Sequence, residues 1–367
     1  GLLYAPIEIK QYNSIDVSDA LQLDCYIWML GQLQGIEPPA EFWLGRVMDD
    51  YPAQRIYHQY DEARLMQALE RLLQLHLRHD QEPDVYIDSR CKACQWFTSC
   101  GKTAVASYDL SLINRLRKDS HAALVEANIQ TLNQLITLDA DSLRQFKGIK
   151  KTAEQFLAQA RAWIENRPIF YQKPSPLCTG DAWHVDTEYY PETGVVWSIG
   201  WSHADDPSAM ILVSERHTEG KLILPNQQQV FVVPSADDAW WLFAEIVGDG
   251  DAPIFHWSSA DKVALKNNAP IDVVERLMDR FEDLAGYFTQ SVQLPVYDTS
   301  IKDVAGYLGF HWSEGSNWMA ALLDYQAWLR HNDESGMFRA CMYQSDDVEV
   351  LAIIRRWMIE NYPGSEQ

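Results

Sequence analysis

The spacing of apolar positions changes twice along the chain. LYAPIEIK reads as a strand, and VSDALQLDCYIWMLGQLQG as a helix with an apolar stripe through Leu21, Cys25, Trp28, Met29 and Leu33, closed by Gly35. EFWLGRVM and QRIYHQY alternate like the arms of a hairpin, and YDEARLMQALERLLQLHLRHD returns to helical spacing. SLINRLRKDSHAALVEANI, TLNQLITL, DADSLRQFKGI and KKTAEQFLAQARAWIENRP predict short helices with no strand between them. Beyond YQKPSPLCTG the period drops to two. AWHVDTEYY, VVWSIGWSH and AMILVSER predict three successive strands, parted by the turn formers PETG and DDPS. Helix ADDAWWLFAEIVG, strand APIFHWSS, helix IDVVERLMDRFEDLAGYF, strand QLPVYDTS and several closing helices follow. The pattern predicts an α/β protein with a C-terminal mixed sheet flanked by helices over 169–367. A small all-helical domain over 106–168 and a partial α/β domain over 1–105 precede it.

A length of 367 residues fits two or three such domains. No apolar run approaches the roughly 20 residues of a membrane span, and GLLYAPIEIK lacks the basic head and cleavage site of a signal peptide, so a cytoplasmic protein without membrane contact is expected. Because the chain opens on Gly and enters a strand at once, an upstream portion is expected to be missing. The net charge of −22 excludes a large basic surface that would coat DNA tightly. It is compatible with a nuclease whose bound cations reverse the sign where the backbone is cut. Three of the six cysteines fall within ten residues, which is metal-like spacing rather than a secreted disulfide framework.

The acidic positions carry the chemistry. Asp186 and Glu188 are two apart on a strand, so both carboxylates share a face and can share a cation. Hard oxygen ligands at that density suit Mg²⁺ or Mn²⁺, two of which can activate water and stabilise a leaving oxygen. In FHWSSADK a strand runs into a helix with Asp261 in its first turn; capping by Ser258 or Ser259 explains the same residues without a ligand role. Tyr343 and Asp347, four apart, stack on one helix face, where a phenol can orient water beside a metal-binding acid. The plainer alternative is that Asp346 and Asp347 begin an amphipathic helix with Val348, Leu351, Ile354 and Met358 on its apolar face.

In order, these motifs resemble those of DEDD-type 3′–5′ exonucleases in their tyrosine variant. That resemblance implies Asp186, Glu188, Asp261 and Asp347 as metal ligands and Tyr343 as the water-positioning residue. TSIKDVAGYLGFHW, then YQAW and the Tyr343 helix, are similar to the RNase H-like domain appended to bacterial RecB-type nucleases, over roughly 180–362. The family's usual aromatic before the second acid is Ala260 here, and that acid is Asp where Glu is frequent.

Further resemblances lie upstream. Glu8 and Lys10 share a strand face, and Gln22 and Tyr26 lie one helical turn apart. The pairs resemble motifs of RecB-like PD-(D/E)XK nucleases, whose remaining ligands would precede residue 1, so this half is expected to be an inactive remnant. Cys91, Cys94 and Cys100 look like the C-terminal cysteine trio of the iron–sulfur members, which implies a [4Fe-4S] cluster if an upstream cysteine is present. A zinc site that adds His79, and three reduced thiols, are the alternatives. In FKGIKKTAEQF, Lys147, Gly148, Lys150 and Lys151 surround a turn into a helix, as in helix-hairpin-helix modules that hold a phosphate. A structural linker explains that turn as well. Trp183, Trp197, Trp201, Trp240, Trp241 and Trp257 can stack bases, though most alternate in strands as core residues do.

The expected function is a metal-dependent nuclease, a 3′–5′ exonuclease on single-stranded DNA or RNA ends. The alternative is a non-catalytic nucleic-acid- or protein-binding component of a DNA repair or defence assembly.

Overall fold

The computed structural model describes residues 3–10, 14–45, 54–77, 85–191, 193–217, 219–313 and 317–363, with residues 89 and 93 described by backbone alone. Two compact units, residues 1–84 and 85–367, divide the chain.

In the first unit, β1 (Ile7–Lys10), α1 (Val17–Gln34), β2 (Ala40–Leu44), β3 (Gln54–His58) and α2 (Glu62–Leu77) follow in order. β1 runs parallel to β2, and β2 and β3 form the expected antiparallel hairpin. Residues 46–48 of its first arm, the end of the second helical stretch and His79 lie outside the described residues. α1 starts where Asp16 accepts from the Asp19 amide at 2.9 Å. The stripe expected on α1 is corrected: Leu23 and Ile27 are buried, whereas Met29 and Leu33 are 53% and 82% exposed. Asp24 determines which face turns inward. It is fully buried, with His58 Nε2 2.7 Å from Oδ1 and Arg64 Nε donating to Oδ2 at 2.7 Å, so its charge is paired inside the core.

The second unit opens with α3 (Phe97–Ser107), α4 (Lys118–Glu126), α5 (Leu132–Leu135), α6 (Ala140–Leu143) and α7 (Ala153–Glu165). The expected boundary at 105/106 falls inside α3. Ile87 and Ala104 pack with Leu124, Leu143, Ile149 and Phe156 in one core, so residues 85–105 pack with the helices that follow them. Next come β4 (Ile169–Phe170), β5 (Trp183–Tyr189), β6 (Val196–His203), β7 (Ala209–Val213), β8 (Gly220–Ile223), β9 (Gln229–Val233), α8 (Ala236–Val247), β10 (Ile254–His256), α9 (Ala260–Asn268), α10 (Ile271–Leu277), β11 (Phe281–Asp283), α11 (Leu284–Ser291), β12 (Val292–Gln293), α12 (Ile301–Tyr307), α13 (Trp318–His331) and α14 (Glu334–Asn361).

Seven of these strands form a mixed sheet in the order β11-β10-β5-β6-β7-β9-β8. The three-strand meander β5-β6-β7 is antiparallel, and β10 joins β5 in parallel. Three expectations need correction. β8 and β9 extend the sheet where no strand was expected. The stretch read as one helix over 271–288 is α10, β11 and α11, because Phe281 is fully buried as β11 pairs with β10. QLPVYDTS contributes only to the short β12, which pairs with β4.

The two-residue period sorts side chains between the sheet faces. Val185, Ile199 and Trp201 pack on α8 through Trp240, Phe243 and Ala244. Ser198 and Gly200 face α14, as Gln344 and Val348 show. A second core, with Phe255, Leu284, Phe288, Val350, Leu351 and Ile354, joins α11 and α14 to the sheet. Trp197, Trp201 and Trp240 are core residues, while Trp241 is 39% exposed.

Candidate active site

The centre of the sheet places the first two acids. Thr187 and Val185 point toward α8 and α9, which leaves Asp186 and Glu188 together on the α14 face of β5. α14 supplies the third. Asp346 and Asp347 lie in the middle of this 28-residue helix rather than at its start, so capping does not explain them. One carboxylate oxygen each from Asp186, Glu188 and Asp347 lies within 4.8 Å of the other two.

Neighbours fix this arrangement. Asp186 pairs in register with Gly200 of β6, and a Cβ at 200 would sit 2.8 Å from Gln344 Cγ and 3.0 Å from Val348 Cγ2. With no side chain there, α14 settles against the sheet. Gln344 Nε2 then donates to the Asp186 backbone carbonyl at 3.0 Å, while Ser198 Oγ donates to Gln344 Oε1. Trp312 Nε1 donates to Asp347 Oδ1 at 2.7 Å, and the Ser313 amide donates to Asp346 Oδ2 at 2.7 Å. Tyr343, 6% exposed, is hydrogen-bonded to Asp347 one turn away.

The charges are not compensated. None of the three acids has an ion pair among the described residues, and Asp186 Oδ2 is buried without a hydrogen-bond partner. Asp186 and Glu188 open partly to the cavity yet lie deep among protein atoms. Burial first, then the charges of Asp347 and Asp261, holds both well above the usual carboxylate range. Burial lifts Asp347 to about 6, against the Trp312 hydrogen bond and the nearby Lys302 charge. The Tyr343 phenol is raised, again chiefly by burial, and stays protonated at neutral pH. A cluster of oxygen donors with an orphaned buried oxygen and unfavourable charge fits a hard divalent cation.

Asp261 stands apart. It lies in the first turn of α9, but Ser259 makes no side-chain cap. Its Oδ1 accepts from both the Thr187 amide and the Thr187 hydroxyl at 2.8 Å, and burial outweighs these bonds to lift it to about 6. His256 Nδ1 is 3.9 Å from Asp261 Oδ2, too far for a hydrogen bond, and both nitrogens of this fully buried ring lack partners among the described residues. Desolvation pushes His256 down to about 4, so the ring is neutral at pH 7. The four acids therefore share one cavity of about 860 Å³, while three of them meet.

Several residues in this cavity were not singled out from the sequence. Lys302 Nζ sits 5.4 Å from the Tyr343 ring centroid and 5.5 Å from that of Trp312. Asp283, at the end of β11, accepts from the Ser258 amide at 2.9 Å, where Ser258 adopts a left-handed φ of 70°. Lys302 and Trp312 lie within TSIKDVAGYLGFHW, so their signal was present. Asp283 was hidden by the helical reading of 271–288.

The other predicted residues fall elsewhere. Glu8, Lys10, Gln22 and Tyr26 do converge in the first unit. Lys10 Nζ is 3.1 Å from Glu8 and 2.9 Å from Asp19, it donates to Gln22 Oε1 at 3.4 Å, and Gln22 Nε2 donates to the Tyr26 hydroxyl at 2.9 Å. Cys91, Cys94 and Cys100 are free thiols whose sulfurs do not form a compact three-ligand group. Cys91 Sγ instead accepts from the Asp88 amide at 3.3 Å, and Cys100 packs on the helical core. Lys147, Lys150 and Lys151 are exposed around one turn, outside the acidic cavity. Gly148 has a φ of 80°, and a Cβ there would meet Ser120 Oγ at 2.6 Å, so only glycine fits. Lys147 also lies 3.7 Å from Asp119.

The mixed sheet, with carboxylates brought to one face by β5 and α14, lies in a region similar to the RNase H-like superfamily, a likeness that suggests a metal-dependent nuclease. Residues 184–359 match the family model of the RNase_H superfamily, from β5 into the last turns of α14. No curated protein matches the chain. Among the described residues no helix is long and apolar enough to cross a membrane.

Proposed function

We propose that residues 169–367 act as a 3′–5′ exonuclease on single-stranded DNA or RNA ends, hydrolysing the terminal phosphodiester. The observation that carries this reading is the convergence of Asp186, Glu188 and Asp347, none of which has an ion pair among the described residues. A divalent cation held there supplies Lewis-acid stabilisation of phosphoryl oxygens and acidifies water. Asp261, bonded to Thr187 and lining the same cavity, is the fourth acid available to a second ion. Trp312 and Gln344 hold the ligand-bearing elements in place. The protonated phenol of Tyr343 can donate to water or to a phosphoryl oxygen, and Lys302 adds positive charge where a leaving oxygen becomes anionic. Tyr189 and Trp318, 37% and 47% exposed on the cavity wall, offer unpaired bases stacking surfaces, which favours single strands. In this reading the exposed lysines at 147, 150 and 151 hold the nucleic-acid backbone outside the cavity.

The test uses an oligonucleotide labelled at its 5′ end together with Mn²⁺ titration by calorimetry. A ladder shortening from the 3′ end is expected, with Asp347→Asn lowering both cleavage and Mn²⁺ affinity. Absence of nucleotide release from every single-stranded substrate in Mn²⁺ refutes the reading.

A further inference from the structure

The acidic cavity has two cations in its wall, and they come from different parts of the second unit. Lys302 belongs to α12, whereas Arg115 belongs to the helical part, in the loop between the 3-10 turn Leu110–Leu112 and α4. Arg115 is exposed and has no hydrogen bond or ion pair among the described residues. In a chain with 52 acidic and 30 basic side chains, an arginine left unpaired beside several carboxylates marks an anion subsite.

The loop holding it is built. Arg115 has a left-handed φ of 62°, which costs a non-glycine residue about 1 kcal/mol, and it is flanked by buried Ile113 and Leu116. Asn114 Nδ2 donates at 3.4 Å to both Asp298 Oδ1 and Thr299 Oγ1, and the Asn114 amide donates to Gln159 Oε1 at 2.9 Å. Tyr297 packs edge-on against Phe97 with ring centroids 5.0 Å apart, and Lys92 lies 2.9 Å from Asp298. The helical part thus seats on residues 297–303, the segment leading into α12 and Lys302, and this seating holds Arg115 over the cavity.

We propose that Arg115 grips a backbone phosphate of the strand whose end enters the carboxylate cavity, which makes the helical part a wall of the substrate groove. This rests on the nuclease reading for the identity of the strand. Guanidinium geometry suits a phosphate bidentately, and the contact carries no base preference.

Binding of fluorescein-labelled oligothymidylate to the full chain, read by anisotropy in EDTA over a range of salt, tests it without cleavage. Arg115→Gly is the informative variant, because glycine adopts this φ freely and folding is not at risk. It is expected to weaken binding about three- to tenfold and to flatten the plot of log Kd against log salt by about 0.7, the share of one phosphate on a single strand. Arg115→Lys should retain most of the slope. Equal affinity and slope for Arg115→Gly and the parent chain overturn the proposal. Weaker binding by Arg115→Gly in a chain that cleaves nothing supports the phosphate contact while the nuclease reading falls.

Discussion

Both units place two charged side chains on one face of a strand, at two-residue spacing, and a helix brings an acid to meet them. In the first unit the partner of Glu8 on β1 is Lys10, whose ammonium also reaches Asp19 of α1. Asp19, bonded through its side chain, holds that ammonium above its ordinary range, so one cation of the protein lies against both carboxylates. In the second unit the partner of Asp186 on β5 is another acid, α14 adds Asp347, and Lys302 stands over rings rather than in an ion pair. A strand pair of acid and lysine can satisfy itself, whereas a strand pair of two acids against a third is left to take protons or a cation from solution. Mutual compensation, more than the count of acids, separates the two clusters.

The largest expected effect comes from removing an uncompensated acid. Asp186→Asn should lower hydrolysis in Mn²⁺ by at least about 1,000-fold, equivalent to ~4 kcal/mol in the barrier. The same substitution should raise the melting temperature of the metal-free protein by roughly 2–6 °C, about 1–2 kcal/mol for a domain of this size. Loss of activity with lower metal-free stability would contradict a repulsive cluster. Next, Gly200→Ala should push α14 off the sheet, costing about 1–3 kcal/mol as overpacking does, and weakening Mn²⁺ affinity in calorimetry because Asp347 moves with the helix.

Acid should strengthen what the buried carboxylates contribute to the metal-free fold. Asp261 and Asp347 are raised to about 6, so the folded chain binds more protons than the unfolded chain between the ordinary carboxylate value and that figure. Their contribution is complete below pH 4 and is lost as pH rises through 6. Buried His184 and His256, pushed down to about 3 and about 4, work in the opposite sense over the same range, so the check is a difference: from pH 5 to pH 7 the metal-free melting temperature of the parent should fall relative to that of Asp347→Asn, and a rise relative to it would contradict the assignment. Smallest of all, Lys10→Ala should destabilise the first unit by at most about 1 kcal/mol, since the pairs it breaks are partly solvated. Its sign is opposite to that of Asp186→Asn, which urea unfolding of the two variants can compare.

The main site was legible because its residues sit in long, regular elements. A two-residue period put Asp186 beside Glu188, and a four-residue interval put Tyr343 beside Asp347. Asp261 was legible as an acid at a strand end, but its attachment to Thr187 depends on which face of β5 meets α9, and no local pattern carries that. Shorter elements gave no warning. β11 has three residues, too few to show alternation, so IDVVERLMDRFEDLAGYF read as a single helix and Asp283 was lost with it. On α1 the apolar count pointed to the wrong face, because Asp24 is buried by partners 34 and 40 residues away. Gly200 is a tertiary requirement too, imposed by Gln344 and Val348 far along the chain.

α14 spans 28 residues, about 42 Å of unbroken helix. Its first half packs on α13, where a Cβ at Gly336 would meet the Asp324 carbonyl at 2.8 Å, and its second half is buried against α11 and α12. Asp347 rides between two clamps, so its direction is set by helical phase. Inserting a single residue between Gly336 and Asp347 would rotate one clamp about 100° against the other, and the chain would have to unseat α13 or swing the carboxylate off β5. A loop around this domain can change length without turning the carboxylate; the register of this one helix cannot.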